Sequence, residues 1–191
     1  NFDDYVNQNI LIPLSMNNTK TYMSSEDYGK NLTLGYSSLN RNNEREKVNF
    51  FNADGIAAAA GFTSNVEDLA KFARWQIDLV KSLEKNILSP ETLKLMHEIH
   101  WDDKLTSVTR GLGFGVYNFD GENWVGHGGS CPGYRSQLYI NTDKELAYSV
   151  MINSSGTSPT KYIDGIHEIL SNVTLKKGEE INLSLIHISE P

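Results

Sequence analysis

Val125–Asn153 reads VGHGGSCPGYRSQLYINTDKELAYSVMIN. From Tyr134 to Asn141 the residues alternate, with Tyr134, Ser136, Leu138 and Ile140 on one face and Arg135, Gln137 and Tyr139 on the other. That is the period of a half-buried β-strand. Thr142-Asp143-Lys144-Glu145 turns the chain, and the more apolar Leu146–Asn153 returns as the next strand. Ahead of both, Gly126-His127-Gly128-Gly129-Ser130 sets a histidine among bare α-carbons, where a ligand or another backbone can come close. Upstream again, Leu112–Phe119 has strand character, Asp120-Gly121 is a hairpin signal, and Glu122–His127 is the returning strand. The region from 112 to 153 is therefore expected to be a four-stranded antiparallel meander.

Helical periodicity surrounds this sheet. Phe2–Ile12 spaces its apolar residues helically and stops at Pro13. Ser64 with Glu67 is a capping-box candidate for a helix whose stripe is Val66, Leu69, Ala70, Phe72, Ala73, Ile77 and Val80. Ser89-Pro90 opens another, with Leu93, Met96 and Ile99 facing inward. Pro159–Asn172 closes the chain as an amphipathic helix through Tyr162, Ile163, Ile166, Ile169 and Leu170. Thr21–Phe51 is polar and weakly periodic, and is expected to be a long surface excursion with short strands near Leu32–Ser37. Helices, a run of antiparallel strands and a final helix make an α+β layout.

Composition removes several function classes. A formal charge of −7 with no basic stripe argues against a nucleic-acid partner, and no apolar run reaches the length of a membrane span. Cys131 is the sole cysteine, which excludes an internal disulfide and a multi-cysteine metal site. His97 and His100 stand three apart but lack the H-E-x-x-H pattern or a further ligand, so they read as solvated helix residues. No metal and no cofactor is expected. Leu183–Pro191, LSLIHISEP, reads as translated sequencing-adapter sequence. Residues 183–191 are accordingly expected to lie outside the fold.

Several landmarks in order carry a resemblance. They are Asp4-Tyr5-Val6 through Ile12-Pro13-Leu14, Ala59-Ala60-Gly61-Phe62-Thr63-Ser64 with Asp68-Leu69-Ala70-Lys71-Phe72, and Leu88-Ser89-Pro90-Glu91. Gly111-Leu112-Gly113-Phe114-Gly115 follows, and then Gly126-His127-Gly128-Gly129-Ser130 with Pro132-Gly133-Tyr134. Together these resemble the C-terminal portion of the serine β-lactamase-like hydrolases, the group of class C β-lactamases, D-alanyl-D-alanine peptidases and related esterases. The resemblance implies a β-lactamase/transpeptidase-like fold and acyl transfer through a serine in a Ser-x-x-Lys turn, aided by a Tyr-x-Asn element. His127-Gly128-Gly129 matches the family's third motif, Lys-Thr-Gly or His-x-Gly. By that match His127 is a polar or proton-transferring group, and the Ser130 backbone N–H is an oxyanion donor. Gly128, Gly129 and Tyr134 would border a substrate that lies along the strand. The implied partner is a small-molecule or peptidoglycan-like substrate, and the implied compartment is periplasmic or secreted.

The family's first two motifs fall before the region this chain resembles. Residues 1–182 are thus expected to be the C-terminal portion of one domain whose N-terminal part lies outside this sequence, and to be inactive alone. Ser82-Leu83-Glu84-Lys85 and Ser158-Pro159-Thr160-Lys161 both fit Ser-x-x-Lys, and Tyr5-Val6-Asn7 and Tyr139-Ile140-Asn141 both fit Tyr-x-Asn. All four read as structural, since such short patterns recur by chance. An α/β-hydrolase would require a Gly-x-Ser-x-Gly elbow, which is absent. A thiol enzyme built on Cys131 is a weaker idea, because a lone cysteine beside Pro132 reads as a small inert residue. A non-catalytic sensor module on the same fold is the remaining alternative.

Overall fold

Six antiparallel strands lie side by side in chain order, and a helix packs on each face of the sheet they form. The computed structural model describes residues 1–81, 86–105, 108–119 and 121–177. Its helices are α1 (Phe2–Val6), α2 (Ala57–Ala60), α3 (Val66–Lys81), α4 (Pro90–His97) and α5 (Pro159–Lys177). Its strands are β1 (Trp101–Asp103), β2 (Val108–Arg110), β3 (Gly115–Phe119), β4 (Glu122–Cys131), β5 (Tyr134–Asn141) and β6 (Leu146–Ile152). Residues 183–191 lie outside the described residues.

Side chains alternate across a strand, so each one feeds two cores. On one face Val116, Val125, Leu138 and Ile140 meet Ala73 and Ile77 of α3. On the other, Trp124, Tyr139 and Tyr148 meet Ile163 of α5. Trp124 and Ile140 are sealed from solvent, and Trp124 stacks on Tyr148 with ring centroids 5.1 Å apart. Each buried aliphatic side chain here contributes roughly 1.5–3 kcal/mol. The alternation read from Tyr134 to Asn141 is the one observed, and Tyr139 belongs to the α5 face.

The structure adds β1 and β2 at the edge of the expected meander. Each is three residues long and polar, too short to show a period. The strand expected from Leu112 begins only at Gly115, because Gly113 takes a positive φ of 77° and the Leu112 N–H is held by the Met96 carbonyl. The α1 helix passes into a π turn, Asn7–Leu11, before Pro13.

Helix α3 starts one residue later than a Ser64 cap requires. Asn65 Oδ1 accepts from the Asp68 N–H at 2.9 Å, while Ser64 Oγ is held by Thr19 Oγ1 at 2.8 Å. Asp68 explains the shift. Its carboxylate is fully buried and accepts from Asn18 N–H, Thr19 Oγ1 and Lys71 Nζ at 2.8, 2.9 and 2.7 Å. Burial alone would raise its pKa, but the Lys71 ammonium and the Asn18 and Thr19 donors outweigh that and hold it below the usual carboxylate range.

Helix α4 has the expected Ser89 cap and Pro90 at its first position, but it stops at His97 where Glu98 turns extended. Ile99 consequently lies exposed instead of inward. His97 is not solvated either. Its Nε2 meets Gln76 Oε1 at 2.9 Å and its ring stands edge-on to Phe114 at 4.9 Å.

Candidate active site

Strand β4 has two unlike halves. Glu122–Gly126 is flanked on both sides, by β3 from Phe119↔Glu122 to Gly115↔Gly126 and by β5 at Val125 and Gly126. His127–Cys131 pairs only with β5, from His127↔Leu138 to Cys131↔Tyr134, so its other edge meets no strand among the described residues. A strand edge of this kind offers its free N–H and C=O groups to an incoming extended chain. Residues 127–130 are all exposed, whereas 124–126 are all buried.

By alternation His127 shares the α3 face with Val125, beyond the end of the apolar core. Gly126, just before it, has no room for a side chain, since a β-carbon there would run into the Leu138 carbonyl oxygen. His127 Nδ1 donates to its neighbour's carbonyl, Gly128 O, at 2.7 Å. A carbonyl only accepts, so the neutral ring carries its proton on Nδ1 and its lone pair on Nε2.

The far end of the open half is bounded by the excursion after Thr21. Residues 35–48 form a hairpin-like arm, with Val48 N–H on Gly35 O at 2.9 Å and Ser37 N–H on Glu46 O at 2.8 Å. A parallel bridge ties the arm to the chain just after β6, since the Tyr36 N–H donates to Asn153 O at 2.9 Å and the Tyr36 carbonyl accepts from the Ser155 N–H at 2.8 Å. Arg45 staples it further, donating to Ser37 O, Ser155 O and Thr157 Oγ1. At the β4–β5 turn the arm's backbone crosses Gly133, whose φ is +83° and whose added β-carbon would sit 2.8 Å from Gly35 Cα. Tyr134 Oη donates to Thr33 O at 2.6 Å, and burial pushes its phenol up to about 12. The Tyr134 hydroxyl is therefore committed to the arm, and its ring borders the site. No local pattern foretells this crossing, because its partners are polar and, for Tyr134 and Thr33, 101 positions apart.

Of the other motif matches, Tyr5 is an exposed residue of α1, and Tyr139 is buried on the α5 face. Asn141 is buried as well and accepts from the Asp143 and Lys144 N–H groups of the β5–β6 turn. Ser158 is an exposed residue just before α5, and Ser82–Lys85 lies outside the described residues. His127 itself is exposed. A concavity of about 560 Å³ lies on the α5 face and is lined by Asn118, Phe119, Asp164 and His167 among others. His167 there is bonded to Tyr148 Oη at 2.9 Å, whereas the strand edge carries the glycine-flanked histidine beside exposed backbone, so the strand edge is the better candidate on chemical grounds.

An antiparallel sheet between helices, with a glycine-flanked histidine on a half-open strand, is a β-lactamase/transpeptidase-like α+β architecture. Residues 1–170 match the beta-lactamase family, and the chain belongs to that family. No curated protein matches it. Among solved structures it is similar to the octameric penicillin-binding protein homologue from Pyrococcus abyssi, at 27% identity and a TM-score of 0.71, over 93% of this chain and 38% of that one. The D-amino acid amidase from Ochrobactrum anthropi SV3, complexed with L-phenylalanine amide, matches at 19% identity and a TM-score of 0.72, over 90% of this chain and 51% of that one. The beta-lactamase/D-alanine carboxypeptidase from Pseudomonas syringae matches at 18% identity and a TM-score of 0.63, over 94% and 54%. The last two likenesses speak to fold alone. The chain spans 38% to 54% of the length of these three solved chains.

Proposed function

We propose that this chain is the C-terminal portion of a serine hydrolase that cleaves amides or esters through a covalent acyl-enzyme. The observation that carries the reading is the open half of β4, where His127, Gly128, Gly129 and Ser130 are exposed on an edge that no strand of the described residues occupies. A serine from a Ser-x-x-Lys turn outside residues 1–182 attacks the substrate carbonyl. Its oxygen bonds to the carbonyl carbon, the bond to the leaving group breaks, and the serine proton ends on that group. Water then releases the acyl group and restores the serine. In this scheme His127 is the polar or proton-transferring group at the edge, and the Ser130 N–H stabilises the oxyanion. Tyr134 frames the substrate with its ring. A periplasmic or secreted setting, with a small-molecule or peptidoglycan-like substrate, belongs to the same proposal.

The test compares the purified chain with the complete protein that contains it. The complete protein should form an acyl adduct on a serine outside residues 1–182, detectable by intact mass after exposure to a p-nitrophenyl ester or a chromogenic cephalosporin. The chain alone should form none. Turnover by the chain alone that disappears in Ser82→Ala or Ser158→Ala would overturn the assignment of the nucleophile.

A further inference from the structure

The hydrogen bond on His127 limits what the site can recognise. With Nδ1–H donating to Gly128 O, the neutral ring presents an acceptor, Nε2, from an exposed side chain. An acceptor is satisfied by an N–H or O–H donor and is opposed by a carboxylate oxygen, which is also an acceptor. The surrounding strand adds no positive charge, since Gly126 to Tyr134 contains neither lysine nor arginine. The first cation after it, Arg135, pairs in register with Ser130. By alternation it lies on the face of Gln137 and Tyr139, opposite to that of His127. The open edge of His127–Cys131 points the same way. It offers both N–H and C=O groups, and an amide can answer both whereas an ester has no N–H to give.

We propose that the group meeting His127 is a neutral N–H donor, so that the site prefers acyl donors with amide leaving groups that carry no carboxylate. This rests on reading residues 127–130 as the active-site edge. Nε2 accepts from the N–H of the scissile amide and so orients the leaving nitrogen. When the serine oxygen bonds to the carbonyl carbon and the C–N bond breaks, the serine proton completes that nitrogen as an amine. A carboxylate on the leaving side, as in a β-lactam or a D-alanyl-D-alanine peptide, finds no counter-charge on this stretch of strand.

The experiment uses the complete protein with two peptides that share one acyl group and differ only in the leaving group, glycinamide or glycine. The expected result is a kcat/KM at least about tenfold higher for the glycinamide, the size of one unmet hydrogen bond. His127→Gln should keep that preference. His127→Lys places an ammonium at the same spot and should shift the ratio toward the glycine carboxylate. Equal rates or a carboxylate preference in the unmutated protein overturns the proposal, as does a ratio that His127→Lys leaves unchanged. A p-nitrophenyl ester serves as the third probe. Acylation by the ester with refusal of both peptides overturns the amide preference and leaves the hydrolase reading standing. No acyl adduct with any probe overturns both.

Discussion

The two halves of β4 share a backbone and differ in almost everything else. Glu122–Gly126 is paired with β3 throughout and with β5 as well at Val125 and Gly126, and it puts Trp124 and Val125 into opposite cores. His127–Cys131 is paired on one side and puts no large apolar group anywhere. A strand can thus be rigid because its first half is packed, while its second half remains open to a substrate. The packed half holds the open half in place, and a functional group gains fixed geometry without being buried itself. Substitutions in the two halves should accordingly separate stability from chemistry.

The largest effect is expected from Trp124→Ala. The ring has no solvent exposure, stacks on Tyr148 and lies edge-on to His167 and Phe119. Truncating such a residue leaves a cavity that costs about 3–5 kcal/mol. Chemical denaturation should report that loss, while acylation per folded molecule of the complete protein stays near normal. His127→Ala should do the reverse. Its acylation rate should fall about a hundredfold, the usual contribution of a positioned acid–base or polar group. Its unfolding free energy should move by no more than about half a kcal/mol, as for exposed sites. A stability loss in His127→Ala with normal acylation would erase the distinction between the halves.

A second pair sharpens the contrast, because His97 is packed where His127 is exposed. His97 is packed against Gln76 and Phe114, and burial pushes its pKa down to about 4. In the unfolded chain a histidine titrates near its ordinary value of about 6.5. Between these two values the unfolded state binds the proton and the folded state does not, so stability falls as pH drops from about 6.5 to about 4 and this contribution is gone below that. His97→Gln should flatten that part of the profile, as read from thermal unfolding at stepped pH. A slope that persists unchanged in the variant would assign it to other groups; Asp68 is not among them, because its folded pKa lies below the usual carboxylate range and its contribution is lost only at lower pH.

How much of this was legible in advance follows from the length and period of each element. Tyr134–Asn141 could be assigned residue by residue, because eight alternating positions leave one register that buries Leu138 and Ile140 together. The glycine-flanked histidine stood out because Gly126 meets the Leu138 backbone, a demand that leaves a mark in the sequence. Strands β1 and β2 left none, being three residues each. Ser64 and Asn65 are both good caps, and the choice between them was made by Thr19, which no local pattern reveals. The arm was hidden for the same reason. Its ties to the strand ends are polar contacts to distant residues, such as Tyr134 Oη to Thr33 O at a separation of 101 positions.

Tyr134→Phe tests whether that arm helps to hold the open half in shape. The variant keeps the ring and removes the one donor to Thr33 O, a loss of about 0.5–1.5 kcal/mol. Amide exchange should quicken at Gly35 and Val48, whose N–H groups bond to Tyr28 Oη and Gly35 O within the arm. Unchanged exchange there would make the contact incidental.

The smallest effect is expected from Ser130→Ala, and its smallness is the point. Ser130 is exposed, and it lies on the half of β4 whose outer edge meets no strand among the described residues. If its contribution to acyl transfer is the backbone N–H, as an oxyanion donor, replacing the hydroxyl removes nothing that the transition state uses. Alanine also keeps a β-carbon where serine had one, so the local backbone has no new freedom. Acylation in the complete protein should stay within about threefold of the unmutated rate, well short of the 10²–10³ lost when an oxyanion donor is removed. Ser130→Pro, which deletes the N–H itself, should reach that larger loss, and far-ultraviolet circular dichroism would check that the sheet survives. A large defect in Ser130→Ala would move the catalytic role from the amide to the hydroxyl. The open half of β4 would then act through its side chains alone, and the unpaired edge would lose its place in the mechanism.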